Sequence, residues 1–169
     1  MIVLGIDPGT AATGYGVIEE RGSTLRALEL GVVTTRAGDD PGARLASIHD
    51  RVRRLVLEHR PGCVAVEELY VGPNPRSILA VGQARGAALA ACGTLGVPVA
   101  EYSVAVIKTA VCGYGRAEKA QVGQMVRAIL ALDGLPSSEH AADALAAAIC
   151  HTHHARLGAR LATAGARPR

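Results

Sequence analysis

The sequence predicts an α/β domain built on a mixed five-stranded sheet with helices on both faces. Three apolar segments joined by short connections open the chain, as in an antiparallel meander. Segments with helical periodicity then alternate with short apolar runs, which is typical of parallel strands linked by helices. The length of 169 residues suffices for one domain, and a composition of 49% hydrophobic and 20% charged residues argues against disorder.

The first half of the chain contains four predicted strands and one predicted helix. The strands are expected at 2–7, 14–20, 24–34 and 63–67, and the helix at 41–59. The first strand is a continuous apolar run that ends in Asp-Pro-Gly, and a tight-turn signal at 21–23 separates the next two. In the helix, apolar residues recur at helical spacing from Leu45 to Val56, and Pro61 with Gly62 ends the pattern.

The second half of the chain is expected to be mainly helical around one further strand. Helices are predicted at 75–92, 103–111, 117–131 and 137–154, and the strand at 97–101. Ser137 and Ser138 at the start of the last helix are typical of an N-cap. Residues 1–155 are expected to form one domain and 156–169 a basic, flexible C-terminal tail. No aspartate, glutamate or lysine follows Asp143, whereas four arginines lie in this tail.

Three sequence features limit the cellular location and the kind of binding partner: the cysteines, the N-terminal segment and the net charge. Four widely spaced cysteines without a CxxC pair predict free thiols in a reducing compartment, and hence a cytoplasmic location. The start MIVLGIDPG lacks the basic region of a signal peptide, and no apolar run reaches the roughly 18 residues that span a membrane. The net charge of +3 permits a polyanionic partner without requiring one.

Two carboxylates stand at the ends of apolar strands. Asp7 ends the first strand and Glu67 the fourth, and a buried carboxylate needs a cation, hydrogen bonds or a proton. If the two strands are parallel neighbours, their carboxyl ends lie together. Alternation along the strand does not decide between Glu67 and Glu68, and position favours Glu67. Taken alone, Asp7 is as well explained as a turn residue before Pro-Gly.

A third signal lies at the start of the last predicted helix. His140 and Asp143 are three residues apart and therefore share one helix face. Each alone could cap the helix or interact with its dipole. Together with Asp7 and Glu67, they form a ligand set that suits hard or borderline divalent metals. Such a set predicts metal-assisted phosphodiester hydrolysis with two ions, which activate water and stabilise the leaving oxygen.

Two other patterns are interpreted structurally. The run Cys-His-Thr-His-His at 150–154 lacks the second half of a zinc site and is interpreted as a solvated helix end. Gly5, Gly9, Gly14 and Gly16 do not have the spacing of a phosphate-binding loop and are interpreted as turn and bulge positions.

The motifs resemble the RuvC family of Holliday junction resolvases, in the RNase H-like, retroviral-integrase superfamily. The matching stretches are GIDPGTAATGYGVI at 5–18, VAVEELY at 64–70, GQARG at 82–86, GRAEKAQV at 115–122 and HAADALAAAI at 140–149. The resemblance covers nearly all of 2–155 and implies an RNase H-like fold. It also implies a structure-selective endonuclease that makes paired symmetric nicks in four-way junction DNA during recombination and repair.

The resemblance assigns roles to individual residues. The catalytic, metal-binding positions match Asp7, Glu67, His140 and Asp143, where some members have Asp in place of His140. The implied cofactors are Mg²⁺ or Mn²⁺, two per active site. Tyr70 matches an aromatic that engages unstacked bases. The only two lysines of the chain, Lys108 and Lys119, match DNA-contacting lysines.

The resemblance further implies partners. These are a homodimer, with the Ala/Gly-rich helix at 75–92 as candidate interface or else as a tightly packed helix within the domain, and the proteins RuvA and RuvB. Two alternatives stay open: a module that binds branched DNA without cutting it, and a fragment of an actin-like ATPase, whose phosphate loop also begins Gly-Ile-Asp-x-Gly. The second needs two lobes, and 169 residues supply one.

Overall fold

The computed structural model describes residues 1–69, 74–136 and 138–165, with side chains as far as Gly158. Its centre is a five-stranded sheet in the order β3-β2-β1-β4-β5. The strands are β1 (Ile2–Asp7), β2 (Ala12–Arg21), β3 (Thr24–Thr34), β4 (Cys63–Glu67) and β5 (Val99–Tyr102). β1, β2 and β3 form an antiparallel meander, whereas β4 runs parallel to both β1 and β5. The predicted mixed sheet is therefore confirmed.

Among the described residues, five helices cover the two faces of the sheet. They are α1 (Pro41–His59), α2 (Pro75–Thr94), α3 (Val104–Cys112), α4 (Lys119–Leu130) and α5 (Glu139–Gly165). Alternation along β1 divides its side chains, so that Leu4 and Ile6 pack with α1 and α2, while Val3 packs with α3, α4 and α5. Each face thus has its own hydrophobic core, and the sheet holds them in a three-layer arrangement.

α5 lies unusually close to the sheet because glycines face it. A Cβ on Gly5 would overlap the carbonyl oxygen of Ala144, and a Cβ on Gly14 would overlap the carbonyl oxygen of His140. Gly16 would likewise clash with the Leu145 side chain. The prediction that these three glycines are turn or bulge positions is wrong. They lie within β1 and β2, where the missing side chains let the helix backbone approach the strands.

The C-terminal half of α5 also differs from the prediction. The helix continues to Gly165, so the histidines at 151–154 lie in its interior and not at a solvated end. Nδ1 of His151 is 2.9 Å from the hydroxyl of Tyr102, and Nδ1 of His153 is 3.1 Å from the carbonyl oxygen of Ala110. These rings therefore fasten α5 to β5 and α3. The proposed division at residue 155 stays a prediction, and the helix is continuous across it.

Two predicted absences concern cysteines and membrane spans. All four cysteines are free thiols; Cys63, Cys92 and Cys150 are buried, the last two within the two cores. In the described part of the chain, the helices are too short or too polar to cross a bilayer.

Candidate metal centre

The strand ends bring the first two predicted carboxylates together. Ile6 of β1 is paired with Val66 of β4 in parallel register, so Asp7 and Glu67 follow at neighbouring positions on the same edge of the sheet. The strand order of the sheet brings these carboxylates together, because β1 and β4 are adjacent although β2, β3 and α1 lie between them in the chain. The condition that the sequence left open, parallel neighbouring strands, is met.

The first turn of α5 supplies the other two predicted ligands. The backbone N–H of His140 donates to Oγ of Ser138 over 3.2 Å, which fixes the start of the helix. Nδ1 of His140 lies 2.7 Å from Oδ2 of Asp7, so the imidazole reaches across to the end of β1. Gly14 lies directly below His140, and its lack of a side chain makes this approach possible.

A cavity of about 330 Å³ joins all four predicted ligands, Asp7, Glu67, His140 and Asp143, hereafter the strand-end cluster. Lys108 and Lys119 line the same cavity. Tyr70, the predicted aromatic contact, lies outside the described residues. Of the two adjacent glutamates, Glu67 lines this cavity, while Glu68 lines only the neighbouring one.

The carboxylates of the strand-end cluster repel one another. Burial, and then the negative charges of Asp7 and Asp143, raise the pKa of Glu67 to about 7. Burial also raises the pKa of Asp143, although the Lys119 ammonium opposes this rise. A carboxyl group in a cleft whose pKa lies near neutral pH readily exchanges its proton for a cation.

Lys119 is held by two acidic side chains of α5. Its Nζ lies 3.3 Å from Oδ2 of Asp143 and 3.6 Å from Oε2 of Glu139. Asp143 is the main cause of the raised pKa of Lys119. The sequence analysis did not single out Glu139, although its place one turn before Asp143 could have suggested a shared partner.

The donor set fits divalent cations. Three carboxylates and one imidazole face a single cavity, and carboxylate oxygens are the ligands that Mg²⁺ and Mn²⁺ prefer in proteins. Burial and the neighbouring negative charges raise the pKa of Glu67, and a bound cation would stabilise its ionised form against both. The structure thus provides the ligand chemistry that the sequence predicts, at the predicted edge of the sheet.

Comparison with known proteins decides the family. The family model described as crossover junction endodeoxyribonuclease RuvC matches residues 3–151. The chain belongs to the RuvC family. The RuvC of Alkalilimnicola ehrlichii is 51% identical over 97% of this chain and 98% of its own length. That of Moorella thermoacetica is 49% identical over 92% of this chain and 93% of its own length.

A solved RuvC structure has the same fold. The RuvC of Thermus thermophilus, in complex with a Holliday junction substrate, superposes with a TM-score of 0.90 at 41% identity. The match covers 94% of this chain and 96% of the other. The RNase H-like fold is therefore confirmed, and the RuvC family is one of metal-dependent endonucleases.

This RuvC-family chain carries a second group of metal-type ligands, which the sequence analysis missed. Glu29, Glu58 and His59, hereafter the α1–β3 cluster, offer ligand atoms that all lie within 4.8 Å of one another. Within the ranges that the structure describes, it is the only group this compact. Nothing in the sequence signals it, because β3 and the end of α1 meet only in the folded chain.

The carboxylate of Glu29 in the α1–β3 cluster already has two partners within the protein. Nη2 of Arg51 donates to one carboxylate oxygen of Glu29, and Nε2 of His59 lies 2.7 Å from the other. Arg51 also donates to the hydroxyl of Tyr15 over 2.5 Å. Burial raises the pKa of Glu29, but His59 and Arg51 together lower it below its usual value. This group is an ion-pair network between α1 and the sheet, and a metal would have to displace two existing partners of Glu29.

Proposed function

We propose that this chain is a crossover junction endodeoxyribonuclease, which resolves Holliday junctions by paired symmetric nicks during recombination and repair. The convergence of four metal-type ligands and two lysines on one cavity supports the proposal most directly. The cytoplasmic location inferred from the reduced cysteines fits such a role.

The strand-end cluster is the proposed metal site. Asp7, Glu67, His140 and Asp143 would hold Mg²⁺ or Mn²⁺, two ions per active site. When bound, the ions would supply a deprotonated water and stabilise the charge on the phosphate and its leaving oxygen. The chain's own contribution is orientation, because β1 and β4 hold two carboxylates at fixed strand ends while the first turn of α5 holds the remaining ligands.

The lysines of the cavity are the proposed phosphate contacts. Lys119 is 64% exposed at its side chain, so its ammonium can leave Asp143 for a phosphate that enters the cleft. Lys108 is half-buried in the same cavity and carries the only other lysine charge in the chain. Both would place positive charge where the transition state becomes more negative.

Tyr70 is the proposed contact for an unstacked base near the point of strand exchange. It follows β4 closely, and a Tyr ring can stack on any base. We expect Tyr70→Ala to lower the cleavage rate about tenfold and Tyr70→Phe to retain it. Equal rates for the wild type and Tyr70→Ala on a four-way junction would remove this role.

Paired nicks require two sites, and a homodimer on the four-way junction would supply them. α2 is the proposed interface. Its inner face, with Ala84 and Ala88, is buried against the sheet and α1, while its outer face carries Gly82, Gly86 and Gly93. A Cβ at any of these glycines would meet no atom within 4 Å, so a second backbone could approach closely. RuvA and RuvB are the proposed functional partners.

The decisive experiment incubates the protein with a synthetic four-way junction or a linear duplex, in Mg²⁺, Mn²⁺ or EDTA. We expect symmetric nicks in the junction with either metal, no cleavage of the duplex and no cleavage in EDTA. Binding of the junction without nicks in both metals would instead favour the non-cleaving module. Sedimentation of the protein alone checks the dimer, and a monomer at micromolar concentration would contradict the α2 interface.

A further inference from the structure

Arg85 is a buried cation that the proposed mechanism does not use. Among the described residues it is the one charged residue in the buried class, with 9% of its surface exposed. A buried guanidinium is costly unless charged or polar partners surround it. It lies on α2, on the wall of a cavity of about 380 Å³ that Asp7 and Glu67 also line. This cavity adjoins the one that contains the strand-end cluster, because both share these carboxylates.

The guanidinium of Arg85 has two partners on neighbouring strands. Nη1 donates to the backbone carbonyl oxygen of Glu67 over 2.6 Å. Nη2 forms an ion pair of 2.6 Å with Oε2 of Glu101 on β5. Glu101 is half exposed, so the ion pair anchors the buried cation to the rim of the sheet. The planar fork of arginine serves both partners at once, which an ammonium cannot do in the same geometry.

The end of β4 is held from two sides. Arg85 binds the carbonyl of Glu67, and the next peptide N–H, that of Glu68, donates to the carbonyl oxygen of Tyr102 over 2.9 Å. These two bonds fix the peptide that links Glu67 to Glu68. Since that peptide sets the direction of the Glu67 side chain, it also sets how far the carboxylate reaches toward Asp7.

Arg85 acts on the backbone of Glu67 and not on its carboxylate. The charges that chiefly shift the pKa of that carboxyl belong to Asp7, Asp143 and the two cavity lysines. Arg85 therefore adds rigidity to the ligand position without neutralising the ligand. Supporting hydrogen bonds of this kind are worth about 10- to 100-fold in metal affinity or activity.

We propose that Arg85 is a positioning residue for the metal ligand Glu67, clamping the end of β4 through the Glu67 carbonyl with Glu101 as its anchor. The cleavage part of this proposal rests on the proposed function, whereas the metal-affinity part does not. α2 thus contributes to the metal site from the side opposite α5.

The test compares Arg85→Gln with the wild type and with Arg53→Gln, an exposed arginine of α1 that serves as charge-matched control. The first measurement is the dissociation constant for Mn²⁺ of the DNA-free protein, by calorimetry. We expect about tenfold weaker binding for Arg85→Gln, an intermediate loss for Arg85→Lys and no change for Arg53→Gln. The second measurement is the single-turnover cleavage rate at saturating protein, with junction affinity measured in Ca²⁺. We expect a slower rate and an unchanged affinity.

Equal Mn²⁺ affinity, within twofold, for Arg85→Gln and Arg53→Gln would overturn the proposal. If Arg85→Gln does not fold, as judged by circular dichroism, Arg85→Lys and Glu101→Gln decide. At least threefold weaker Mn²⁺ binding in both supports the clamp, and wild-type affinity in both refutes it. A wild-type protein that binds Mn²⁺ but cuts no junction would refute the proposed function, while the Mn²⁺ comparison would still judge Arg85.

Discussion

The strand-end cluster and the α1–β3 cluster contain similar residue types but have opposite electrostatics. In the α1–β3 cluster, Arg51 and His59 occupy both oxygens of Glu29, and the pKa of Glu29 is lowered. In the strand-end cluster, burial and neighbouring carboxylates raise the pKa of Glu67 to about 7. Glu29 thus has its partners within the protein, whereas the cavity of the strand-end cluster contains three carboxylates against two lysines.

The difference teaches that compactness alone does not identify a metal site. In the compact α1–β3 cluster, Arg51 and His59 both lie against the carboxylate of Glu29. In the more open strand-end cluster, burial and neighbouring carboxylates raise the pKa of Glu67, and the charges of Lys119 and Lys108 only partly oppose this rise. A carboxyl in a cleft whose pKa is raised is the better sign of a cation-binding site. The predictions below separate the two clusters by experiment.

The largest effect is expected for Asp7→Asn. The substitution removes a ligand charge at the centre of the strand-end cluster, and metal stabilisation of the transition state is worth several kcal/mol. We expect junction cleavage to fall by about 10³-fold or more, with junction binding retained. Glu58→Gln in the α1–β3 cluster is the control and should cleave at the wild-type rate. Undiminished cleavage by Asp7→Asn would remove the site assignment.

Lys119→Ala is expected to slow cleavage by about 10²-fold, since one preorganised charge next to the reacting phosphate is lost. The salt dependence of junction binding should also become shallower, by about one unit of slope. Cleavage rates and junction affinities measured between about 50 and 200 mM salt would show both effects. An unchanged rate would reduce Lys119 to a surface charge paired with Glu139.

Thermal unfolding with Mn²⁺ tests directly which cluster binds metal. At a Mn²⁺ concentration of about 100 times the dissociation constant, we expect a stabilisation of about 2.7 kcal/mol, or a Tm rise of about 5–10 °C. The rise should disappear in Asp7→Asn and persist in Glu29→Gln. The reverse pattern would move the metal to the α1–β3 cluster.

Glu67→Gln should stabilise the metal-free protein at alkaline pH. The folded-state pKa of Glu67, about 7, lies above the ordinary carboxyl value of 4.5, so its contribution to stability is present below pH 4.5 and is lost as the pH rises through 7. In urea unfolding with EDTA, the free energy of unfolding of the wild type should fall below that of Glu67→Gln across this window. The difference should reach about 1 kcal/mol at pH 8 after solvent screening. Parallel pH profiles would show that neither burial nor the neighbouring carboxylates raise the pKa of Glu67.

The smallest effect is expected for Glu29→Gln. The loss of its bonds to Arg51 and His59 should cost about 1 kcal/mol of stability at pH 7. Because the pKa of Glu29 is lowered in the folded state, this cost should shrink as the pH falls through the folded-state value. Cleavage should not change. A large loss of cleavage in a well-folded Glu29→Gln protein would break the distinction between the clusters.

Local patterns carried most of the fold. The bounds of β1, β3, β4 and α1 agree with the prediction, because continuous apolar runs and an amphipathic stripe ended by Pro-Gly are strong local signals. The end of α5 was predicted too early. In the sequence alone, the histidines at 151–154 suggest a solvated helix end. In the fold, His151 contacts the Tyr102 hydroxyl and His153 contacts the carbonyl oxygen of Ala110.

The sequence by itself determined the strand-end carboxylates, the His140 and Asp143 pair and the family to which the chain belongs. Only the tertiary structure shows how the strand-end carboxylates come to lie beside His140 and Asp143. The backbone of α5 approaches the sheet over Gly5 and Gly14, and no sequence pattern states which atoms a missing side chain makes room for. The same holds for Arg85, whose partners lie on two strands distant in the chain. Ligand types are local properties of a sequence, whereas charge balance and positioning depend on contacts between distant segments.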